Sequence, residues 1–131
     1  ALLLANTGFE SVKNVGYPEC RIILSQIAIY LATSPKSNAS YMAIGKAQAL
    51  IRETGDLPIP LSLRNAPTKL MKDLDYGKDY KYSHDFPNNF AFQEFLPQEV
   101  SNQQLYDPGH NAAEEKVRER MKSLWKEKYG Y

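Results

Sequence analysis

A chain of 131 residues, 43% apolar and 24% charged, has the size and make-up of one folded domain and not of a disordered segment. Its 16 basic and 15 acidic residues leave a net charge of +1, so no basic field covers the whole domain, although a local patch is still allowed. One cysteine, Cys20, excludes an internal disulfide framework and suits a reducing compartment, and no apolar run approaches the ~20 residues that span a bilayer.

Leu2 to Leu4 is too short and lacks the basic flank of a secretory signal. The chain opens at Ala1, without an initiator methionine, inside what has the pattern of a helix. That start is expected of a fragment whose missing part lies upstream. Residues 1–131 are expected to form a single helical domain.

The first helix is predicted over Leu2 to Val15 and stops at Gly16. Pro18 suits the first turn of a second helix, with Glu19 at its positive end. From Ile22 to Leu31 that helix is apolar on nearly every side, so it needs several neighbours or a subunit contact. Ser34 before Pro35 ends it. Ser37 or Asn38 can cap a third helix, whose buried face is predicted at Tyr41, Ile44, Ala47, Leu50 and Ile51, and Gly55 closes it in a left-handed conformation. Two antiparallel helices joined by a short turn follow from this spacing.

Pro58 and Pro60 force an extended connection through Leu61 and Leu63, and a short helix from Pro67 to Leu74 ends at Gly77. From Asp79 to Pro108 the chain carries seven aromatic residues, three prolines and no helical period. It is expected to be an ordered excursion packed on the helices, one that a short hairpin could organise. Asn111 followed by Glu114 has the form of a capping box. Beyond it Ala113, Val117, Met121, Leu124 and Trp125 form a stripe, with Glu114, Glu115, Lys116, Arg118, Glu119 and Arg120 as a solvated mixed-charge face. The expected class is mainly α.

No phosphate-cradling G-x-x-x-x-G-K-[ST] loop occurs, and His84 and His110 lack metal-ligand spacing. His84-Asp85 hints at acid–base chemistry, but adjacent side chains diverge and no nucleophile stands beside them; a loop hydrogen-bonding role fits better. Cys20, among apolar positions of an early helical turn, is expected to be a small core residue. No catalytic, cofactor-binding or metal-binding residue is assigned.

The segment Arg64 to Lys81 is chemically richer. Arg64, Lys69, Lys72, Lys78 and Lys81 are interleaved with Tyr76, Tyr80 and Tyr82, a combination that can neutralise phosphates and stack bases. Asp73, Asp75, Asp79 and Asp85 dilute it, and a solvated face with core or hinge tyrosines is the plainer alternative. The candidate contacts for nucleic acid or a partner protein are Arg64, Lys69, Lys72, Lys78, Tyr80 and Lys81.

Four runs carry a family resemblance: Gly16-Tyr17-Pro18-Glu19-Cys20-Arg21-Ile22, Tyr30 to Asn38 (YLATSPKSN), Leu63 to Lys72 (LRNAPTKLMK) and Tyr76 to Asp85 (YGKDYKYSHD). Together, and in this order, they resemble the C-terminal region of the RarA/MgsA family of AAA+ ATPases, which includes the eukaryotic Werner-helicase-interacting ATPase. Cys20 stands where alanine is expected and Asp75 where glycine is. The resemblance implies a helical bundle of the clamp-loader C-terminal, post-AAA+ oligomerisation type. It implies a homotetramer and a parent that acts on DNA at stalled replication forks with single-stranded-DNA-binding protein. It also implies a cytoplasmic, nucleoid-associated location, no membrane partner, and ATP and Mg in an ATPase module outside this chain.

Overall fold

The computed structural model describes residues 1–131. The fold is all-helical: α1 (Leu2–Val15), α2 (Cys20–Thr33), α3 (Ala39–Thr54), α4 (Lys69–Asp73) and α5 (Ala112–Trp125), with four short 3-10 turns between α3 and α5. No helix is long and apolar enough to cross a membrane. The chain divides into two compact units, Ala1–Lys36 and Ser37–Tyr131.

In the first unit α1 packs on α2. Residues withdrawn from solvent recur at helical steps, Leu4, Gly8, Ser11 and Val12 on α1 and Cys20, Ile23 and Ile27 on α2. Gly16 ends α1 at φ 74, its N–H donating to the Val12 carbonyl. The second helix starts two residues later than Pro18 predicts. Tyr17, Pro18 and Glu19 form a turn, and the Cys20 N–H donates to the Gly16 carbonyl at 2.9 Å. Cys20 is buried, as its setting suggests.

The close approach of the two helices depends on Gly8, where a Cβ would collide with the Ile27 side chain. Gly8→Ala is expected to be near neutral, because about 1 kcal/mol of helix propensity offsets the turning of the Ile27 side chain to a rotamer that clears the new methyl. Gly8→Leu should cost about 1–3 kcal/mol by overpacking. Thermal melts followed by circular dichroism separate the two. Equal melting temperatures would show that α1 and α2 are not close-packed at this point.

The second unit is ordered mainly by its irregular segments. Ser37 supplies the cap to α3, its Oγ accepting from the Ala39 N–H at 3.1 Å, while Asn38 makes no side-chain cap. Gly55 closes the helix at φ 70. The inward side of α3 is Ala39, Ala43, Ala47 and Leu50; of the predicted buried face, Tyr41, Ile44 and Ile51 are exposed. Ala47 and Leu50 of this side border, with Leu96, Pro97, Val100 and Leu105 of the excursion, one apolar cavity of about 330 Å³.

No hairpin organises the excursion. The aromatic excursion contains no strand, only 3-10 turns at Ser83–Asp85, Pro87–Asn89 and Gln98–Val100. Its order comes from Trp125 on α5, which meets Phe90 at 4.8 Å between ring centroids and Tyr129 at 4.9 Å, with Phe92 and Phe95 further out. Such pairs contribute about 0.5–1.5 kcal/mol each beyond area burial.

On α5 the Asn111 cap forms, its Oδ1 accepting from the N–H groups of Ala113 and Glu114. The predicted stripe holds for Met121, Leu124 and Trp125, whereas Ala113 and Val117 face solvent. In their place Glu114 and Arg118, expected on the solvated face, turn inward. Glu114 accepts from Ser37 Oγ (2.7 Å), the Gly109 N–H (3.0 Å) and Asn111 Nδ2 (2.8 Å). Arg118 pairs with Asp107 at 3.0 Å and donates to the Pro108 carbonyl. The connection leading into α5 leaves polar groups that need partners, and these two side chains satisfy them.

Candidate functional site

The cation and tyrosine segment runs from the 3-10 turn Leu61–Leu63, through α4, into the start of the excursion. Thr68 caps α4 by accepting from the Met71 N–H. Gly77, at φ 72, donates its N–H to the Leu61 carbonyl at 2.8 Å and so stitches the end of the segment to its beginning.

That stitching fixes Arg64. Its Nε donates to the Ile59 carbonyl at 2.7 Å, Nη1 donates to the Tyr76 hydroxyl at 3.3 Å, and the guanidinium lies 5.1 Å from the Tyr76 ring centre. Lys78 pairs with Asp75 at 3.1 Å, and this carboxylate raises its pKa. Lys81 donates from Nζ to the Phe92 carbonyl at 3.3 Å. Lys69 and Lys72, exposed on α4, make no ion pair. Tyr80 and Tyr82 are 49% and 55% exposed, whereas Tyr76 is partly buried. The structure thus brings Arg64 and Tyr76 together internally and leaves Lys69, Lys72, Tyr80 and Tyr82 open.

His84 lies against Tyr82, ring centres 5.1 Å apart, and makes no hydrogen bond with Asp85. No group of three His, Cys, Asp or Glu side chains is placed to hold a metal.

Two residues that sequence patterns do not flag organise this region. The Gln93 side-chain amide accepts from the Lys81 N–H and donates to the Lys81 carbonyl, both at 3.2 Å. Glu94 accepts from the N–H groups of Phe95, Leu96 and Asn102, from Lys128 Nζ and from the Tyr129 hydroxyl. Burial alone would raise the Glu94 pKa; the Leu96 and Asn102 N–H groups, the Lys128 ammonium and the Phe95 N–H outweigh it and hold the carboxyl at about 2. Tyr129 is pushed up to about 12 by desolvation and by its bond to Glu94. The available signal was the polar pair Gln93-Glu94 inside an aromatic run.

The outward faces of the helices are apolar as well. Ile22 and Ile29 are 74% and 62% exposed and share one shallow surface trough with Arg21, Ser25 and Gln26. Leu2, Leu3, Phe9, Tyr41, Met42 and Ile44 are likewise exposed. Full burial of apolar side chains is confined to Cys20, Ala39, Ala91, Val100 and Pro108.

Comparison with known proteins agrees with the motifs. Replication-associated recombination protein A of Coxiella burnetii is 42% identical over 122 residues, covering 92% of this chain and 28% of that protein. The Escherichia coli K12 protein of the same name is 39% identical over 122 residues, covering 92% of this chain and 27% of its own length. ATPase WRNIP1 of Dictyostelium discoideum is 38% identical over 108 residues, covering 82% and 12%. The chain therefore spans about a quarter or less of the length of these relatives. The family described as MgsA AAA+ ATPase C terminal matches residues 1–125, and to that family of C-terminal ATPase domains this chain belongs.

Proposed function

We infer that this domain assembles copies of its parent ATPase into a homo-oligomer, a tetramer in the reading the family resemblance implies, and has no catalytic role of its own. The observations that carry the inference are the exposed apolar faces of the helices, on α1 and α2 in the first unit and, separately, on α3 in the second. A domain of this size ordinarily buries its large aliphatic side chains, and extended exposed apolar surface marks an interaction site. A second copy offers the same apolar surface in return, which is the self-complementarity that a symmetric contact needs. ATP and Mg belong, in this reading, to a motor module outside these residues. The parent works in the cytoplasm on nucleoid DNA, at stalled replication forks beside single-stranded-DNA-binding protein; the replication and recombination names of the relatives support this setting.

Light scattering of the 131-residue chain across a concentration series tests the assembly. A stable mass of four chains is the expected result. A monomer at every concentration would remove the inference.

A second reading, supported by the openness of Lys69, Lys72, Tyr80 and Tyr82, makes the segment a contact for single-stranded DNA or a partner protein. Lys78 would join by exchanging its weak partner Asp75, while Lys81, tied to the Phe92 carbonyl, and Arg64, held at two points, would shape the surface more than touch the ligand.

A further inference from the structure

We propose that Tyr80 and Tyr82 form a stacking site for one base of a single-stranded nucleic acid, and that Gln93 is the positioning residue that builds it. This rests on the nucleic-acid reading above and adds the site, its contact chemistry and its construction.

The construction begins with the backbone. In an extended residue the N–H and C=O point to the same edge, so one side-chain amide can satisfy both. Gln93 does this to Lys81, with both bonds at 3.2 Å. The Lys81 side chain is meanwhile tied to the Phe92 carbonyl. Tyr82 is extended (φ −72, ψ 116), and since side chains alternate along extended chain, Lys81 turned toward Phe92 would send Tyr80 and Tyr82 to the opposite face. Their exposure, 49% and 55%, agrees. The stretch is bounded by Asp79 at φ 61 and by the 3-10 turn at Ser83, and the His84 ring braces Tyr82.

The spacing selects the ligand. Two residues of extended chain advance about 6.6 Å, and a stacked nucleotide rises about 3.4 Å. Rings carried on positions at that pitch would have room between them for one flat base. Charge then sets the character of the binding. Lys69, Lys72, Lys78 and Lys81 are balanced by Asp73, Asp75, Asp79 and Asp85, so counterion release contributes little and stacking carries the affinity. The exposed Lys78–Asp75 pair is weak enough for the ammonium to turn to a phosphate. A proline-rich peptide could also use aromatic rings, but the two-ring pitch favours a base.

The test is fluorescence anisotropy of a labelled oligothymidylate with the 131-residue chain. Tyr80→Ala and Tyr82→Ala should each weaken binding about tenfold, and Tyr→Phe at either position should stay within about twofold because the ring is kept. Gln93→Ala should weaken it about threefold without removing any group that touches nucleic acid. The slope of log affinity against log salt should stay shallow, no steeper than about −2. Unchanged far-UV circular dichroism shows the effects are local, and the phenylalanine pair keeps the test decisive should an alanine variant misfold. Binding that survives both alanine variants but vanishes in Lys69→Gln with Lys72→Gln would overturn this site and leave the nucleic-acid reading standing. No binding by the unaltered chain would overturn both. Capture of a proline-rich peptide at these tyrosines, with the oligothymidylate ignored, would also overturn the proposal.

Discussion

Replacing Ile22 and Ile29 together by glutamate is expected to dissociate the assembled domain into monomers while leaving its helix content unchanged. The two side chains are seven residues apart on α2, share one surface trough and are mostly exposed in the isolated chain, so the folded monomer loses almost nothing when they become polar. In an assembly the same positions would be buried. Loss of one well-packed apolar anchor costs about 2 kcal/mol or more, roughly a thirtyfold change in the dissociation constant. A carboxylate forced into that contact without a partner costs further. In a closed oligomer every copy repeats the defect, so the loss is multiplied across the contacts. Light scattering reads the mass and circular dichroism reads the fold. A control glutamate at exposed Gln103 separates this effect from simple added charge. An intact oligomer in the double variant would place the subunit contact elsewhere, on α1 or on the outer face of α3.

The helix ends were legible in the sequence because caps are local chemistry. Gly16, Ser34 before Pro35, Gly55 and Asn111 each end or begin a helix where their own backbone preferences put them. Which face of a helix is buried was much less legible, because periodicity defines a stripe and not what covers it. On α3 the large residues Tyr41, Ile44 and Ile51 point outward, while Ala39, Ala43 and Ala47 are the ones withdrawn from solvent. On α5 the charged pair Glu114 and Arg118 turns inward to partners at Ser37, Asp107, Pro108 and Gly109 that no local pattern reveals. The excursion hid its order for a related reason. It is held by Trp125 about thirty residues further on, and by side-chain-to-backbone bonds from Gln93 and Glu94, neither of which has a period. Among the candidate contacts, the composition showed five cations but not that Arg64 would be taken up by Ile59 and Tyr76. Long motifs carried the family, and they did so independently of all these packing details.

Glu94→Gln should destabilise the second unit at neutral pH and remove much of its sensitivity to acid. The carboxylate collects three backbone N–H groups, the Lys128 ammonium and the Tyr129 hydroxyl, and is only 27% exposed. Lys128 is in turn 10% exposed and sits over the rings of Phe92, Trp125 and Tyr129 at 5.3 to 5.5 Å, so the clasp joins the loop after Phe92 to the end of α5. A glutamine puts an NH2 where one oxygen faced donors, leaving Asn102 and Lys128, or Phe95, Leu96 and Tyr129, without an acceptor. The pH dependence follows from the lowered pKa. The carboxyl titrates near 4.5 in the unfolded chain and at about 2 in the folded one, so its contribution is fully present above 4.5 and is lost as pH falls from there through 2. The size is on the order of 3 kcal/mol, at about 1.4 kcal/mol per tenfold change in proton affinity. Denaturant unfolding followed by the fluorescence of the single tryptophan, Trp125, reports on this clasp directly because Lys128 and Tyr129 lie against its ring. The stability gap between the unaltered chain and Glu94→Gln should be widest above pH 5 and narrow steadily towards pH 2. A gap that stays constant over this range would mean that the variant acts through packing alone and that the Glu94 charge is not what holds the loop.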